Sequence, residues 1–166
     1  MMKKIKKYFI SRKYTKICPS FKNVIVRGNP TIELGKNCSF YSNVIIWGNG
    51  LVKIDDNSKI GDNTIIYSSD AGGVIIGKNC LIAANCYIID CNHNYQIADT
   101  PIFQQGNTIK KIVIEDNCWI GANCTIGAGT ALKKQTVVGA NAFVSGEFGP
   151  YEVVGGVPAR KIKKFN

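Results

Sequence analysis

Large apolar side chains recur at every sixth position over long stretches of the chain between Leu34 and Val144. A period of six matches neither the 3.6-residue repeat of a helix nor the two-residue alternation of an ordinary strand. It is typical of a parallel β-helix of hexapeptides, in which short strands stack as coils and each strand points one large side chain inward. The large apolar positions are Leu34, Phe40, Ile46, Ile54, Ile60, Ile66, Ile76, Ile82, Ile88, Ile114, Ile120, Ile126, Leu132, Val138 and Val144.

A small side chain follows many of these residues four positions later, which predicts a second inward position in each hexapeptide. Five of the seven cysteines occupy it, where serine, threonine and alanine replace them, so the thiols act as small apolar filler. Their six-residue spacing differs from the paired C-x-x-C of zinc sites, and we therefore predict no metal site. The small positions are Cys38, Ser58, Thr64, Cys80, Cys86, Cys118, Cys124, Thr130, Thr136 and Ala142.

With 166 residues, the chain is long enough for one domain with a substantial core. We predict an all-β domain over residues 31–166, a parallel β-helix of about five coils followed by a C-terminal tail. Residues 1–30 are predicted to form a basic N-terminal cap, because a repeat architecture needs its end coils covered. A short amphipathic helix through Ile5, Tyr8 and Phe9 is the alternative.

Positive charge is concentrated at the two ends of the chain, and the formal net charge is +10. Residues 1–30 hold no acidic side chain, and the C-terminal extension adds Arg160, Lys161, Lys163 and Lys164. These ends are either simply solvated or attracted to an anionic membrane surface or a polyanionic ligand. No DNA-reading helix, aromatic RNA platform or zinc finger is recognisable, so we predict no nucleic-acid partner.

Hydropathy predicts a cytoplasmic protein. No run of about 18 apolar residues would make a transmembrane helix, and residues 11–13 interrupt the apolar stretch that a signal peptide would need. The basic ends extend this prediction to membrane association on the cytoplasmic face.

The repeat stops at His93, the single histidine in the sequence, and resumes after Lys111. Loops longer than about 12–15 residues without structure of their own are usually functional or disordered. The loop inserted at about 94–111 starts next to a titratable side chain and carries Tyr95, Ile102 and Phe103. We therefore predict that it forms a wall of a functional site.

Three segments resemble the hexapeptide-repeat acyltransferases: the hexapeptides from Ile76 that end at His93, the run Val113–Asn123, and the closing Gly155–Arg160. The resemblance extends from Leu34 to Lys164 and is strongest to the maltose, galactoside, xenobiotic and surface-polysaccharide acetyltransferases. It implies a left-handed β-helix and transfer of an acetyl group from acetyl-CoA to a hydroxyl or amine. It also implies a homotrimer with active sites between neighbouring subunits.

His93 matches the catalytic histidine of this family, which implies that it is the general base. A neutral imidazole can take the proton of an acceptor hydroxyl as the oxygen attacks the thioester. Asp90, three residues earlier, would fix the imidazole tautomer, or it would bind local backbone in a turn and leave that task to a backbone carbonyl. Cys91 offers a covalent route through an acyl-cysteine, whereas the resemblance implies direct transfer.

The resemblance also implies coenzyme contacts around Trp119, which matches an aromatic residue beside the pantetheine arm. The oxyanion that develops on the thioester needs a fixed donor, most simply a backbone N–H next to a small side chain. Gly121 and Ala122 both match the family position for this donor, and the sequence does not choose between them.

Further coenzyme contacts are expected along the later coils. Ala140 and Ser145 match positions that hold the pantetheine arm, whereas Gly146 stands where relatives often carry a lysine. Arg160 and Lys163 match basic residues near the adenosine phosphates, where a guanidinium or an ammonium is useful. The alternative for these two residues is a solvated basic tail.

We therefore predict an acetyl-CoA-dependent O-acetyltransferase that acts on a sugar hydroxyl in surface polysaccharide, capsule or lipopolysaccharide biosynthesis. The alternatives are an amino-sugar N-acetyltransferase, an antibiotic or free-sugar acetyltransferase, and a non-catalytic β-helix scaffold. The zinc carbonic anhydrases with this fold need three histidines per site, and this chain has one in all. The expected partners are acetyl-CoA, a carbohydrate acceptor and two further copies of the chain.

Overall fold

The chain folds as a solenoid with three parallel β-sheets, which we name faces A, B and C. The structure, a computed structural model, describes Tyr14 and residues 17–165. Face A contains β1 (Ile25–Gly28), β4 (Ile45–Gly48), β7 (Ile65–Ser68), β10 (Tyr87–Ile89), β15 (Thr125–Ile126) and β18 (Phe143–Val144). Face B contains β2 (Thr31–Leu34), β5 (Leu51–Ile54), β8 (Gly73–Ile76), β13 (Ile112–Ile114), β16 (Ala131–Leu132) and β19 (Glu147–Phe148). Face C contains β3 (Ser39–Phe40), β6 (Lys59–Ile60), β9 (Leu81–Ile82), β14 (Trp119–Ile120), β17 (Val137–Val138), β20 (Glu152–Gly156) and β21 (Ala159–Lys164).

Each coil contributes one strand to each face in the order A, B, C, and we call the turns between faces corners AB, BC and CA. Apart from β21, the strands of each face pair in parallel and in register, as Ile46 with Ile66 and Ile76 with Ile114. The all-β parallel β-helix is thus confirmed, and the left-handed coiling of the resembling family is consistent with it. Faces A and B each contain six strands, which makes six coils where about five were expected.

The additional strands lie at both ends of the predicted run, because β1 precedes it and β19 and β20 follow it. Residues 25–28 pair with β4 over four positions, so the β-helix starts at Ile25 and the predicted boundary between residues 30 and 31 is wrong. Ahead of β1, the 3₁₀ helix Pro19–Asn23 buries Phe21 edge-on against Phe40, with ring centroids 5.3 Å apart. Residues 18–23 therefore cap the first coil, whereas the alternative helix through Ile5 and Phe9 lies outside the described residues.

The predicted inward positions form the core. Ile46, Ile66 and Ile88 are completely buried, and the five repeat cysteines are at most 4% exposed. Polar members of the small-residue row satisfy their hydrogen bonds inside, as when Ser58 Oγ donates to the Gly77 carbonyl at 2.7 Å. The corner turns need one residue with positive φ, which asparagine tolerates better than most residues. Such asparagines stack between coils through their side-chain amides at Asn37, Asn57, Asn79, Asn43, Asn63, Asn85, Asn123 and Asn141.

The C-terminal segment, expected as a tail, is an ordered hairpin. The strand β21 pairs antiparallel with β20 and covers the last edge of face C. Lys161 Nζ and Glu152 Oε1 lie 2.9 Å apart across this hairpin. None of the helices in the described part of the chain is both long and apolar enough to span a membrane.

Candidate active site

The residues that follow His93 form an ordered hairpin that leaves the solenoid at corner AB. We call residues 91–109 the arm; its strands β11 (Cys91–His93) and β12 (Asn107–Ile109) pair antiparallel, with His93 opposite Asn107. Asn94 closes the hairpin, because its amide donates to the Gln105 carbonyl at 3.0 Å and accepts from Thr108 Oγ1 at 2.6 Å. The segment predicted as an irregular loop is therefore a structured projection from the fourth coil.

Large apolar side chains on the arm point into solvent. Tyr95 and Phe103 are 71% and 79% exposed, and Ile97 and Ile102 are more than half exposed. Phe103 lies in a 3₁₀ helix, Ile102–Gln104, at the far end of the arm. Exposed apolar surface of this kind marks a contact surface for a ligand or another chain.

Asp90 binds a turn of the coil below. Its buried carboxylate accepts from Ser68 Oγ at 2.9 Å, from Ser69 Oγ at 2.8 Å and from the Ser69 N–H at 3.0 Å. A Cβ at position 72 would overlap Asp90 Oδ2, so glycine is required there. Of the two roles left open for Asp90, the structure therefore shows the turn-binding one.

Through this turn Asp90 holds the base of the arm. Its backbone carbonyl accepts from the Lys110 N–H at 2.9 Å, so one residue ties both ends of the hairpin to the third coil. Both carboxylate oxygens are occupied, and Asp90 is therefore not the group that orients His93. The His93 imidazole is exposed and has no hydrogen-bond partner among the described residues, which leaves it open to a substrate proton.

Cys91 is poorly suited to act as a nucleophile. Burial raises the pKa of its thiol, and the neighbouring carboxylate of Asp90 raises it further. A reactive cysteine needs a lowered pKa so that the thiolate is present near neutral pH. The raised pKa of Cys91 therefore argues against the acyl-cysteine route.

Trp119 lies on the outer surface of face C, near corner CA. It is 53% exposed and pairs with Leu81 in the coil below and Val137 in the coil above. These neighbours make an apolar strip along the axis of the solenoid. A strip of this kind can support an extended, partly apolar ligand.

Backbone hydrogen bonding shows which of the two candidate oxyanion donors, the N–H of Gly121 or of Ala122, is free at the turn after Trp119. The Gly121 N–H donates to the Val138 carbonyl at 2.8 Å as part of the coil stacking. The Ala122 N–H makes no hydrogen bond within the described part of the chain, and Ala122 is half-buried. Of these two donors, the Ala122 N–H is therefore the one available to a bound oxyanion.

The reason for this free donor is the residue that stacks on it. At corner BC the equivalent N–H of Lys36 donates to Asp56 Oδ1 at 2.8 Å, and that of Lys78 donates to Asp116 Oδ1 at 2.7 Å. At corner CA the equivalent position in the next coil is Ala140 and not an aspartate, so no carboxylate is present there to accept from the Ala122 N–H. Within the described residues, small side chains thus leave the N–H groups of Ala84 and Ala122 free at this corner, whereas the equivalent N–H of Ser42 donates to Asp62 Oδ1 at 2.9 Å.

A cavity of about 220 Å³ lies on face C just below this turn. Sequence reasoning missed its residues, although a signal was present. The residue before each large inward side chain of face C points outward, so Lys59, Leu81 and Trp119 form one row. The cavity is lined by Tyr41, Lys59, Gly61, Asp62, Leu81, Ile82, Ala83, Ala84 and Trp119.

The remaining predicted coenzyme residues lie on the later coils. Ala140 stacks directly on Ala122 at corner CA, since the N–H of residue 141 donates to the Ala122 carbonyl at 2.9 Å. Ser145 is exposed after β18, at corner AB. Arg160 and Lys163 are exposed on β21, with Arg160 Nη1 2.9 Å from its neighbour's carbonyl.

The predicted site residues thus fall into two groups within one chain. His93 and Ser145 lie at corner AB, whereas Trp119, Ala122 and Ala140 lie at or near corner CA. Face A separates the two corners, so a single chain does not bring the imidazole to the free N–H. Within the described residues no cluster of three or more acidic, histidine or cysteine side chains could hold a metal ion.

Comparison with known proteins identifies the repeats. The family pattern described as hexapeptide repeat of succinyl-transferase matches residues 51–89 and 111–145. WbbJ of Escherichia coli K12, assigned to O-acetyl transfer in lipopolysaccharide biosynthesis, is 36% identical over 100 residues, which cover 56% of this chain and 51% of WbbJ. The galactoside O-acetyltransferase of the same strain is 32% identical over 94 residues, which cover 56% of this chain and 45% of the enzyme.

Among solved structures, the S84A mutant of the N-acyltransferase AntD from Bacillus cereus has the same fold. It was crystallised with dTDP-4-amino-4,6-dideoxyglucose and coenzyme A. The TM-score is 0.77 at 22% sequence identity, and the superposition covers 87% of this chain and 79% of AntD. In sequence, the matched regions span about half the length of the two curated relatives.

Proposed function

Because the chain belongs to the hexapeptide-repeat acyltransferase family, we propose that it is an acetyl-CoA-dependent O-acetyltransferase that acts on a sugar hydroxyl. The acceptor is a precursor of surface polysaccharide, capsule or lipopolysaccharide. One observation carries the proposal: a histidine and a backbone N–H, both exposed to ligand and both without a hydrogen-bond partner in the described chain, lie at the two edges of one face. These are the two groups that acyl transfer requires.

The active site is completed between subunits of a homotrimer. Face A presents an outward row of mainly apolar side chains, and Trp47 beside this row is 44% exposed. If face A of each subunit points toward a three-fold axis, corner AB of one subunit meets corner CA of the next. That arrangement brings His93 to the Ala122 N–H of a neighbour and covers the exposed apolar tip of the arm. The outward row consists of Ile25, Ile45, Ile65, Tyr87, Thr125 and Phe143.

Each group then has a defined role in the reaction. His93 removes the proton of the acceptor hydroxyl as its oxygen attacks the thioester carbon. The Ala122 N–H of the neighbouring subunit donates to the oxygen that becomes negative in the tetrahedral intermediate. When the intermediate collapses, the carbon–sulfur bond breaks, and the imidazolium returns the proton to the leaving thiolate. The products are the acetyl ester and free coenzyme A.

The coenzyme would lie along the open side of face C and corner CA. Trp119 and Ala140 contact the pantetheine arm there, while Ser145 reaches it from corner AB of the adjoining subunit. Arg160 and Lys163 on β21 are free to pair with the phosphates, because their side chains are exposed. We place the protein in the cytoplasm, where acetyl-CoA is supplied, with its basic ends near the anionic membrane surface.

An amino-sugar N-acetyltransferase is the second candidate, since the AntD structure of the same fold holds an amino-sugar nucleotide. The test is release of coenzyme A from acetyl-CoA with a panel of sugars, nucleotide sugars and oligosaccharides. Mild alkali cleaves an acetyl ester and spares an acetamide, so it separates the two candidates. We expect alkali-labile products.

The His93→Ala variant tests the base within the same assay. We expect coenzyme A to bind as before and transfer to fall about 10²- to 10⁴-fold. A variant with unchanged transfer would show that His93 is not the base. Failure of the parent protein to bind acetyl-CoA would refute the enzyme and favour a β-helix scaffold.

A further inference from the structure

We infer that the cavity beside Trp119 is the acceptor subsite and that Lys59 makes it selective for an acidic sugar. The inference rests on the proposed function and names its substrate class. The cavity holds about 220 Å³, below the roughly 300 Å³ at which pockets for drug-sized ligands begin. It therefore suits one sugar ring, with the rest of a glycan outside.

The walls of the cavity match the apolar side of a sugar ring. Tyr41, Leu81 and Trp119 line it and are 50%, 47% and 53% exposed. Aromatic faces attract the slightly positive C–H groups of a pyranose because the ring quadrupole is negative there. These three side chains hold a sugar without discriminating between neutral and acidic rings.

The polar groups of the cavity supply the discrimination. Lys59 makes no ion pair in the described chain, whereas Lys53 and Lys78 lie 3.8 and 3.5 Å from the carboxylates of residues 55 and 56. Asp62 uses Oδ1 to accept from the Ser42 N–H at 2.9 Å and keeps Oδ2 for a sugar hydroxyl. An unpaired ammonium beside an apolar wall favours a carboxylate or phosphate on the bound ring.

The cavity also lies next to the Ala122 N–H, where the acceptor hydroxyl has to meet the thioester. Ala84, at its upper edge, stacks directly beneath Ala122, because the N–H of residue 123 donates to the Ala84 carbonyl at 3.0 Å. Adjacent strands lie about 4.8 Å apart, so a hydroxyl at the rim reaches a thioester held at the Ala122 N–H. The Ala84 N–H has no partner among the described residues and can hold that ring in place.

Charge on the whole molecule acts in the same direction. The formal net charge of +10 raises the local concentration of anions and so the association rate of an acidic glycan. Long-range attraction does not select a position on the ring. The contact that selects is the one at Lys59.

The experiment compares two pairs of acceptors, which we call twins because they differ only at C6, where the neutral sugar has a hydroxymethyl group and the acidic sugar a carboxylate. The pairs are methyl β-glucoside with methyl β-glucuronoside, and methyl β-galactoside with methyl β-galacturonoside. Binding of each is measured by calorimetry in the presence of coenzyme A, and kcat/KM is measured with acetyl-CoA. The parent should bind one acidic sugar of a pair about two- to fivefold more tightly than its neutral partner. Lys59→Gln should abolish that preference and leave binding of the neutral sugars unchanged.

Two further variants keep the interpretation clear. Lys36→Gln removes an exposed lysine at corner BC and should retain the preference for the acidic sugar, whereas Tyr41→Ala should weaken binding of the acidic and the neutral sugar equally. Equal binding of acidic and neutral twins by the parent, or an equal loss in Lys36→Gln and Lys59→Gln, would overturn the inference. Acid-selective binding without any acetyl product would uphold the subsite and refute the proposed function instead.

Discussion

Replacing Ala122 with proline removes a single hydrogen-bond donor from the proposed site. The turn accepts proline because Asn123 has φ 58° and Ala122 has a negative φ, the combination of a type II turn with Ala122 in its first central position. Proline is favoured at that position. Because the Ala122 N–H has no partner within the described chain, its removal breaks no bond of the fold.

The expected effects on stability and catalysis therefore differ in size. Proline at a compatible position stabilises by about 0.4–1 kcal/mol, since it restricts the unfolded chain. The midpoint of thermal unfolding should then stay level or rise by about 2–4 °C. Loss of one oxyanion donor lowers kcat by about 10²- to 10³-fold, because the charge develops only in the transition state.

The assay follows the free thiol of coenzyme A at saturating acetyl-CoA and acceptor. Coenzyme A itself lacks the thioester oxygen, so the variant should bind it within a few-fold of the parent. Lys134→Pro is the matched control: Lys134 occupies the same turn position at corner BC, ahead of Gln135 with φ 62°. It loses one exposed hydrogen bond, to Glu115 at 2.9 Å, and should keep full activity.

Two results would refute the reasoning. A folded Ala122→Pro protein with kcat within about threefold of the parent would show that another group stabilises the oxyanion. An equal loss in Lys134→Pro would show that proline in any corner turn disturbs the solenoid.

Three further predictions concern the assembly and the arm. Random trimers from equal amounts of His93→Ala and Ala122→Pro should recover about a quarter of parental activity, because that share of interfaces joins an intact His93 to an intact Ala122; no recovery would refute a shared site. Asp90→Asn places an amide NH2 group opposite the hydrogen-bond donors of Ser68 and Ser69 and should lower the free energy of unfolding by about 1–3 kcal/mol. Thermal unfolding measures this loss, and an unchanged midpoint would contradict the anchoring role of Asp90. Cys91→Ser should keep the parental rate with no acyl-enzyme seen by mass spectrometry, and a trapped adduct on Cys91 in the parent would establish the covalent route.

Much of the fold could be predicted from the sequence because a solenoid is nearly one-dimensional. Each coil contacts only the coils next to it, so a local period of six is enough to identify the strands and their inward side chains. The two buried cysteine pairs, Cys80 with Cys118 at corner BC and Cys86 with Cys124 at corner CA, follow directly from that period. The boundary at Ile25 was missed because the clear run of hexapeptides starts only at Leu34, within the first coil and after β1.

The site depended on tertiary structure because the corner N–H of Lys36, Lys78 or Ala122 is satisfied, or left free, by the residue one coil later. That residue is 20 positions away for Lys36 but 38 for Lys78, since the arm is inserted within the fourth coil, between β10 and β13. Spacing along the chain therefore does not show that Ala140 leaves the Ala122 N–H free.

The sequence by itself determined the repeat, the core and the position of His93 at the end of a coil. Only the tertiary structure decided that Asp90 serves the turn at Ser69 and that face A separates His93 from Ala122. The physical reason is that a hexapeptide specifies which side chains point inward but not which neighbour stacks on its turn. The chemistry of this molecule depends on that second relation.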